Sequence, residues 1–226
     1  MKDWNLFLRQ TEMQGKSPMH QLNGVLYPMC LLDIIMLPEE KVWLRLVQYH
    51  AENGVHNYVI DNGSGDSLMV WLIQEGVFIK GFDHENPLNQ FAADTWNEAF
   101  FDHVYAGIPA HFLELMTQEQ RDETTFCMWY EAKKEKWTQH RWKNQDGGEK
   151  FLLGYLMETP QEWKAWAEDY YECSIDETAV QKIYDTQMVD EESITTLNPS
   201  RDVHAVFQEI QSLGDIDREW DVDLPE

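Results

Sequence analysis

The sequence predicts an α+β protein: a mainly antiparallel sheet of about six strands packed with helices, and a helical C-terminal third. Two kinds of observation support this class. Runs of β-branched and aromatic residues are joined by short Gly-containing turns, which is typical of antiparallel hairpins. After residue 150, capping boxes and apolar residues at helical spacing take over. We therefore expect a sheet core over residues 1–150 and a helical subdomain over 151–226, packed together as one structural domain.

The first forty residues predict helices. Asp3 can cap a short helix that runs to Gln10, and residues 11–24 are expected to form a loop. Pro28 suits the first position of a helix, and the apolar spacing that follows predicts a buried helix over 28–37 that ends before Pro38. A strand over the same residues is the alternative.

The next stretch predicts a four-strand antiparallel meander. Asn53-Gly54 is a strong hairpin turn, and Gln74-Glu75-Gly76 is a second one. The expected strands cover residues 41–50, 55–60, 67–74 and 77–82. The last two runs are apolar on both faces, so their hairpin should lie in the centre of the sheet and be covered on two sides.

A candidate site lies at the open end of this central hairpin. Asp61 and Asp66 precede the first strand, and Asp83, His84 and Glu85 follow the second. Because the ends of paired strands lie opposite one another, these side chains can converge. Oxygen ligands of this kind suit Mg²⁺, Mn²⁺ or Ca²⁺, with Glu85 as the general base of a metal-dependent hydrolase. The alternative is that they are turn and capping residues without a ligand or cofactor.

The same stretch carries a resemblance to known proteins. Asp61-Asn-Gly-Ser-Gly-Asp66, followed by Gly76-Val-Phe-Ile-Lys-Gly-Phe-Asp-His-Glu85, resembles a segment of uncharacterised bacterial proteins, some of them acidic immunity proteins that neutralise secreted toxins. The resemblance covers about 25 to 50 residues and supplies no catalytic residue. It implies a bacterial cytosolic protein with a protein-binding role.

Residues 87–150 complete the sheet region. Aromatic residues between Phe91 and Tyr105 have helical spacing, and Pro109 opens a second helix that runs to Met116. Residues 124–130 and 136–142 predict a third hairpin. The basic and aromatic residues around this hairpin would suit a single-stranded nucleic acid, but a solvated strand face fits the acidic remainder of the chain better. Asp146-Gly147-Gly148 has the composition of a linker.

Three helices are expected in the C-terminal third. Thr159-Pro-Gln-Glu162 is a capping box with Pro at the first helical position, and Ser174-Ile-Asp-Glu177 has the form of a second box. Asn198-Pro199 opens the third helix, which Gly214 stops. Residues 215–226 are acidic, lack periodicity and are expected to form a loose tail.

Charge gives the clearest indication of a partner. The chain has 41 acidic and 17 basic residues, a net charge of −24. Residues 151–226 contribute 19 of the acidic and only 4 of the basic residues. Such a surface repels nucleic acid and anionic membranes and attracts a basic protein, although solubility alone would also explain it. The expected contact residues are Glu162, Glu168, Asp169, Glu172, Asp176 and Glu177.

Cysteine usage and apolar runs indicate the compartment. Cys30, Cys127 and Cys173 form no CxxC pair and are odd in number, which fits a reducing cytoplasm. The longest apolar run, residues 25–37, is too short to span a bilayer. No motif of acyl transfer or nucleotide-dependent chemistry is visible. The leading hypothesis is therefore a non-catalytic cytosolic binding protein of the immunity or antitoxin type, with the metal-dependent hydrolase as the alternative.

Overall fold

A computed structural model describes residues 17–214 and confirms the α+β class. Its sheet is antiparallel, and its six strands lie side by side in chain order. The strands are β1 (Val47–Glu52), β2 (Val55–Asp61), β3 (Ser67–Ile73), β4 (Gly76–Phe82), β5 (Phe126–Glu131) and β6 (Lys136–Gln139). The expected helix over residues 3–10 and the tail over 215–226 lie outside the described residues.

The central hairpin is β3–β4, as predicted. Ile73 pairs with Gly76 at its turn, and Ser67 pairs with Phe82 at its open end. Six of the seven residues of β4 are buried, because β3 and β5 flank the strand and both faces of the sheet are covered here. Gly76 has a φ of +148°, and a Cβ there would lie 1.8 Å from the carbonyl oxygen of Tyr130, so only glycine fits this turn.

Nine α-helices occur within residues 17–214. They are α1 (Pro18–Met36), α2 (Glu98–Val104), α3 (Ala110–Leu113), α4 (Gln118–Asp122), α5 (Glu149–Leu152), α6 (Pro160–Tyr170), α7 (Glu177–Thr186), α8 (Glu191–Leu197) and α9 (Val203–Ser212). Short 3₁₀ helices cover Glu39–Leu44, Gln90–Ala92, Ala132–Lys134, Trp142–Asn144 and Leu153–Tyr155. Within the described residues, none of these helices has the length and apolar character needed to cross a membrane.

The chain forms two compact units. The first contains residues 52–155, with most of the sheet and helices α2 to α5, and the second contains residues 20–51 and 156–214 among the described residues. In the first unit, one face of the sheet packs against α2 and α3. The buried residues of this layer are Trp71, Ile73, Phe78, Leu88, Phe100, Val104, Ile108, Phe112, Met116, Cys127 and Trp129.

Gly147 and Gly148, expected to form a linker, are buried in the first unit. A Cβ on Gly147 would lie 2.1 Å from the carbonyl oxygen of Thr125, and one on Gly148 would lie 2.4 Å from Oδ2 of Asp83. Both glycines have positive φ, so this stretch packs closely against β5 and the end of β4.

Helix α1 is longer than predicted, and the expected loop over residues 11–24 is wrong from residue 18 onward. Pro28 lies inside the helix rather than at its start. A proline there costs about 3 kcal/mol, but Leu22, Leu26 and Met29 are at most 1% exposed. Each such side chain contributes about 1.5–3 kcal/mol on burial, so packing outweighs the local signal.

The C-terminal end of α1 is held by side chains of the second unit. Arg201 Nε donates to the carbonyl of Ile34 at 3.2 Å, and Asn198 Nδ2 donates to the carbonyls of Ile35 and Met36. Arg45 donates to the carbonyl of Leu37, and Glu209 accepts hydrogen bonds from both arginines. The carbonyls at this helix end therefore have donors, as buried helix ends require.

Other helix and strand boundaries differ from the predicted ones, because a competing cap or a packing contact determines where each element begins. Residues 39–44 form a 3₁₀ helix instead of the start of a strand. Asp176, rather than Ser174, caps α7 by accepting from the backbone of Ala179. Asp190 caps α8, which the sequence analysis missed, and Asp202 caps α9. The box at Thr159 is confirmed, with both of its reciprocal hydrogen bonds formed.

Candidate functional site

The open end of the β3–β4 hairpin brings Asp66 next to His84. Asp61 pairs with Ser67, and Ser67 pairs with Phe82, so the loop before β3 lies beside the segment that leaves β4. The imidazole Nδ1 of His84 lies 2.8 Å from Oδ1 of Asp66, and the backbone N–H of His84 donates to the same oxygen at 2.9 Å. One carboxylate oxygen thus holds both the ring and the backbone of His84.

Asn62 completes the support of this pair. Its side-chain amide donates to Oδ2 of Asp66 at 2.8 Å and to the hydroxyl of Tyr155 at 3.1 Å. Its carbonyl oxygen accepts from the backbone N–H groups of Ser64 and Asp66. The Asn-Gly-Ser-Gly loop is therefore closed by its own first residue, in the manner of an Asx turn.

The surroundings of Asp66 and His84 shift the pKa values of the two side chains in opposite directions. Burial raises the pKa of Asp66, but hydrogen bonds from His84 and Asn62 outweigh it and leave that pKa below its ordinary value. The hydrogen bond to Asp66 raises the pKa of His84 above its ordinary value. Asp66 is buried, while the His84 side chain is 41% exposed. A carboxylate that orients an exposed imidazole in this way can support proton transfer at Nε2.

The other three predicted ligands do not join this pair. Asp61 is exposed and accepts from the backbone N–H of Gly63 at 2.8 Å. Asp83 accepts from the side-chain amide of Asn86 at 3.1 Å. Glu85 is 85% exposed, and its Oε1 lies 3.9 Å from Nε2 of His84. Among residues 17–214, no three His, Cys, Asp or Glu side chains converge as a metal site would require.

The predicted acidic contact residues have mixed roles in the second unit. Glu162 belongs to the capping box of α6, and Asp176 caps α7. Glu168 pairs with Lys164 at 2.8 Å and accepts from the backbone of Ile175, while Glu177 accepts from Gln161. Asp169 and Glu172 are exposed. Several of these acids therefore shape the helix ends as well as contributing charge to the surface.

Most of the described basic residues of the second unit form ion pairs within it. Its described residues include 16 acidic and 5 basic residues. Arg45 and Arg201 pair with Glu209, Lys164 pairs with Glu168, and Lys182 pairs with Asp190. Most exposed carboxylates of this unit consequently remain uncompensated, and the unit presents a negative potential.

Two features were not found by sequence reasoning. Lys80 is fully buried in the middle of β4, and its Nζ has no hydrogen-bond partner within the part of the chain that the structure describes. The position of Lys80 within an apolar run could have indicated its burial, because a strand covered on both faces has no solvent-facing position. Trp43 is 68% exposed on the 3₁₀ helix Glu39–Leu44, where a strand with a buried face was expected.

Comparisons with protein families, with curated proteins and with solved structures found no match to this chain. The similarity to acidic immunity proteins thus stays an expectation that depends on the segments 61–66 and 76–85.

Proposed function

We propose that this protein is an acidic, non-catalytic binding protein whose partner is a basic protein, as in the immunity or antitoxin type. The observation that carries the proposal is the internal use of cations in the second unit. Four of its five described basic residues are in ion pairs, while exposed acids extend along its helices. A surface of one sign accelerates the encounter with an oppositely charged partner and opposes association with acidic proteins and nucleic acids.

The Asp66–His84 pair supports this proposal better than it supports a metal-dependent hydrolase. Asp61, Asp83 and Asn62 make hydrogen bonds that close turns, and Glu85 extends into solvent. Together these contacts order the loop at the end of the central hairpin. An ordered loop offers a rigid surface, which lowers the entropy cost of binding a partner.

The test is partner capture followed by reconstitution. The purified full chain is immobilised and exposed to lysate of its source cells at about 50 mM and about 500 mM NaCl. We expect one basic protein to be retained in a fixed ratio at the lower salt concentration and released at the higher one. The same protein, purified separately, should bind with a Kd that rises about tenfold or more over this range.

An unrelated protein of similar size and net charge serves as the control for charge alone. It should not retain the same partner. Recovery of a neutral or acidic partner, or an affinity that is insensitive to salt, would contradict the proposal. For the immunity type, the complex should also suppress a toxic activity of the isolated partner.

A further inference from the structure

The second unit carries an exposed apolar patch. Trp43, Leu44 and Tyr170 are 68%, 41% and 42% exposed, and we refer to these three residues as the Trp43 patch. The hydroxyl of Tyr170 donates to the carbonyl of Leu44 at 2.8 Å, so the end of α6 lies against the end of the 3₁₀ helix Glu39–Leu44. Two segments distant in sequence thereby lie next to each other.

Part of the Trp43 patch is rigid. The ring of Tyr170 stacks on Trp166 with a centroid distance of 4.9 Å and an interplanar angle of 15°. Tyr171 contacts both rings edge-on, and its hydroxyl donates to the buried carboxyl of Asp33. A ring held in this way loses little conformational entropy on binding, a property of the aromatic residues that dominate binding energy at interfaces.

Three exposed carboxylates are close in sequence to the residues of the Trp43 patch. Glu39 and Glu40 are exposed and precede Trp43 in the segment Glu39–Leu44, whose backbone is kinked at Lys41, and Asp169 precedes Tyr170. Lys41 is exposed between them and offsets one of the three negative charges. The surroundings of the aromatic rings are therefore net negative, which favours a cationic occupant.

The charge of the chain distinguishes between possible occupants. A second copy would bring another net charge of −24 against this one, and an anionic membrane surface would also be repelled. A guanidinium group can be attracted in two ways, because it stacks on an indole ring and pairs with nearby carboxylates. Arginine, like tryptophan and tyrosine, is enriched in protein interfaces.

We infer that the Trp43 patch is the contact point for an arginine-bearing segment of a basic protein partner, with Trp43 as its central residue. The inference depends on the proposed function and adds the location and the chemistry of the contact. Trp43 stacks with the guanidinium, while Glu39, Glu40 and Asp169 form the charged rim. Lysine is bound more weakly, because an ammonium group lacks the planar face that stacks on an indole.

The probe is hexa-arginine, measured by calorimetry against the full chain at about 100 mM NaCl. Trp43→Ala should raise the Kd about threefold or more, and the double variant Glu39→Gln/Glu40→Gln should raise it by a similar factor. Two matched controls should change the Kd less than about twofold: Met188→Ala, which removes a side chain that is 64% exposed, and Glu191→Gln/Glu192→Gln, which removes two exposed charges. Hexa-lysine should bind more weakly than hexa-arginine.

A second readout places the peptide without relying on affinity. In protein labelled with 5-fluorotryptophan, the ¹⁹F resonance that disappears in Trp43→Phe is assigned to Trp43. We expect hexa-arginine to shift this resonance and to leave that of the buried Trp163 unchanged. Because Trp43 is largely exposed, its replacement leaves the fold intact.

The outcomes separate this inference from the proposed function. Equal weakening by Trp43→Ala and by the controls would mean diffuse binding to the acidic surface, which overturns the patch and leaves the proposed function standing. Absence of hexa-arginine binding to the wild type would overturn the inference, while the proposed function would still be decided by partner capture. A wild-type dimer that Trp43→Ala converts to a monomer would identify a second copy as the occupant and overturn the inference.

Discussion

Lys80 has an environment that is unusual for a lysine. It pairs with Met69 and Cys127 on the neighbouring strands and is 0% exposed. Burial lowers its pKa to about 8, and the charge of Glu123 opposes this only in part. A buried ammonium group without a hydrogen bond is destabilising, because it has lost its hydration.

We predict that Lys80→Met stabilises the protein by about 2–3 kcal/mol at pH 7, because it removes this buried charge. The Tm should rise by about 4 °C or more, measured by thermal melting. Lys80 is protonated up to about pH 8 when folded and up to about pH 10.4 when unfolded. The unfolded chain binds more protons in between, so wild-type stability should rise across this range and the gap to Lys80→Met should narrow.

The exposed Lys150 offers a matched control, and Lys150→Met should shift the Tm by less than about 1 °C. Destabilisation by Lys80→Met would contradict the prediction and would show that the ammonium group makes a favourable interaction.

At the candidate site, the titration of His84 reports its contact with Asp66. We predict a pKa above the ordinary value of about 6.5 in the wild type and a lower pKa in Asp66→Asn, which loses the charged acceptor. NMR titration of the imidazole resonances measures both. The exposed His204 provides an internal reference in the same spectra. An unchanged His84 titration in Asp66→Asn would show that the pair does not form in solution.

Among the elements, α1 depends most on residues far away in the chain. Asn198, Arg201 and Arg45 supply donors to the last carbonyls of α1, and Glu209 binds both arginines. Asp33, also on α1, accepts from the backbone of Val47 at 2.8 Å, and burial raises its pKa to about 7. A helix with a central proline is thus stabilised by its end contacts as well as by its apolar surface.

We predict that Glu209→Gln destabilises the protein by about 3 kcal/mol, because Arg45 and Arg201 are 5% and 9% exposed and would lose their only ion-pair partner among residues 17–214. The Tm should fall by about 6 °C or more. Glu192 is 86% exposed, so Glu192→Gln should change the Tm by less than about 1 °C. A small effect of Glu209→Gln would mean that the arginines find water or backbone acceptors instead.

On the scale of the whole molecule, charge is the dominant feature. A net charge of −24 opposes the compact state through self-repulsion, and salt screens this repulsion more than it weakens close ion pairs. We predict that the Tm rises as NaCl increases from about 20 mM to about 300 mM, measured by calorimetry with KCl as the control for ion identity. A Tm that falls with salt would mean that ion pairs outweigh the repulsion.

Local sequence signals predicted the elements that depend on local chemistry. The turns at Asn53-Gly54 and Gly76 and the capping box at Thr159 agree with the structure, because each satisfies its own backbone within a few residues. Two predictions failed for different reasons. Pro28 lies inside a helix because burial against other parts of the chain outweighs its cost. Ser174 does not cap α7 because a second local candidate, Asp176, accepts from the backbone of Ala179 instead.

The candidate site was also predicted only in part. Strand pairing indicated that Asp61 or Asp66 could approach Asp83 and His84, since the register of a hairpin follows from its turn, and in the structure Asp66 lies beside His84. The orientation of Asp61, Asp83 and Glu85 depends on side-chain hydrogen bonds within each turn, which spacing alone does not reveal.

The α+β class, the order of the β2–β3–β4 meander and the negative charge could be predicted from the sequence, because they follow from local periodicity and composition. Three features emerge only from the folded chain: the burial of Lys80, the ion pair between Arg45 and Glu209, and the contact of Tyr170 with Leu44. The partners in these contacts are distant in the chain, and packing brings them together, which no local pattern encodes.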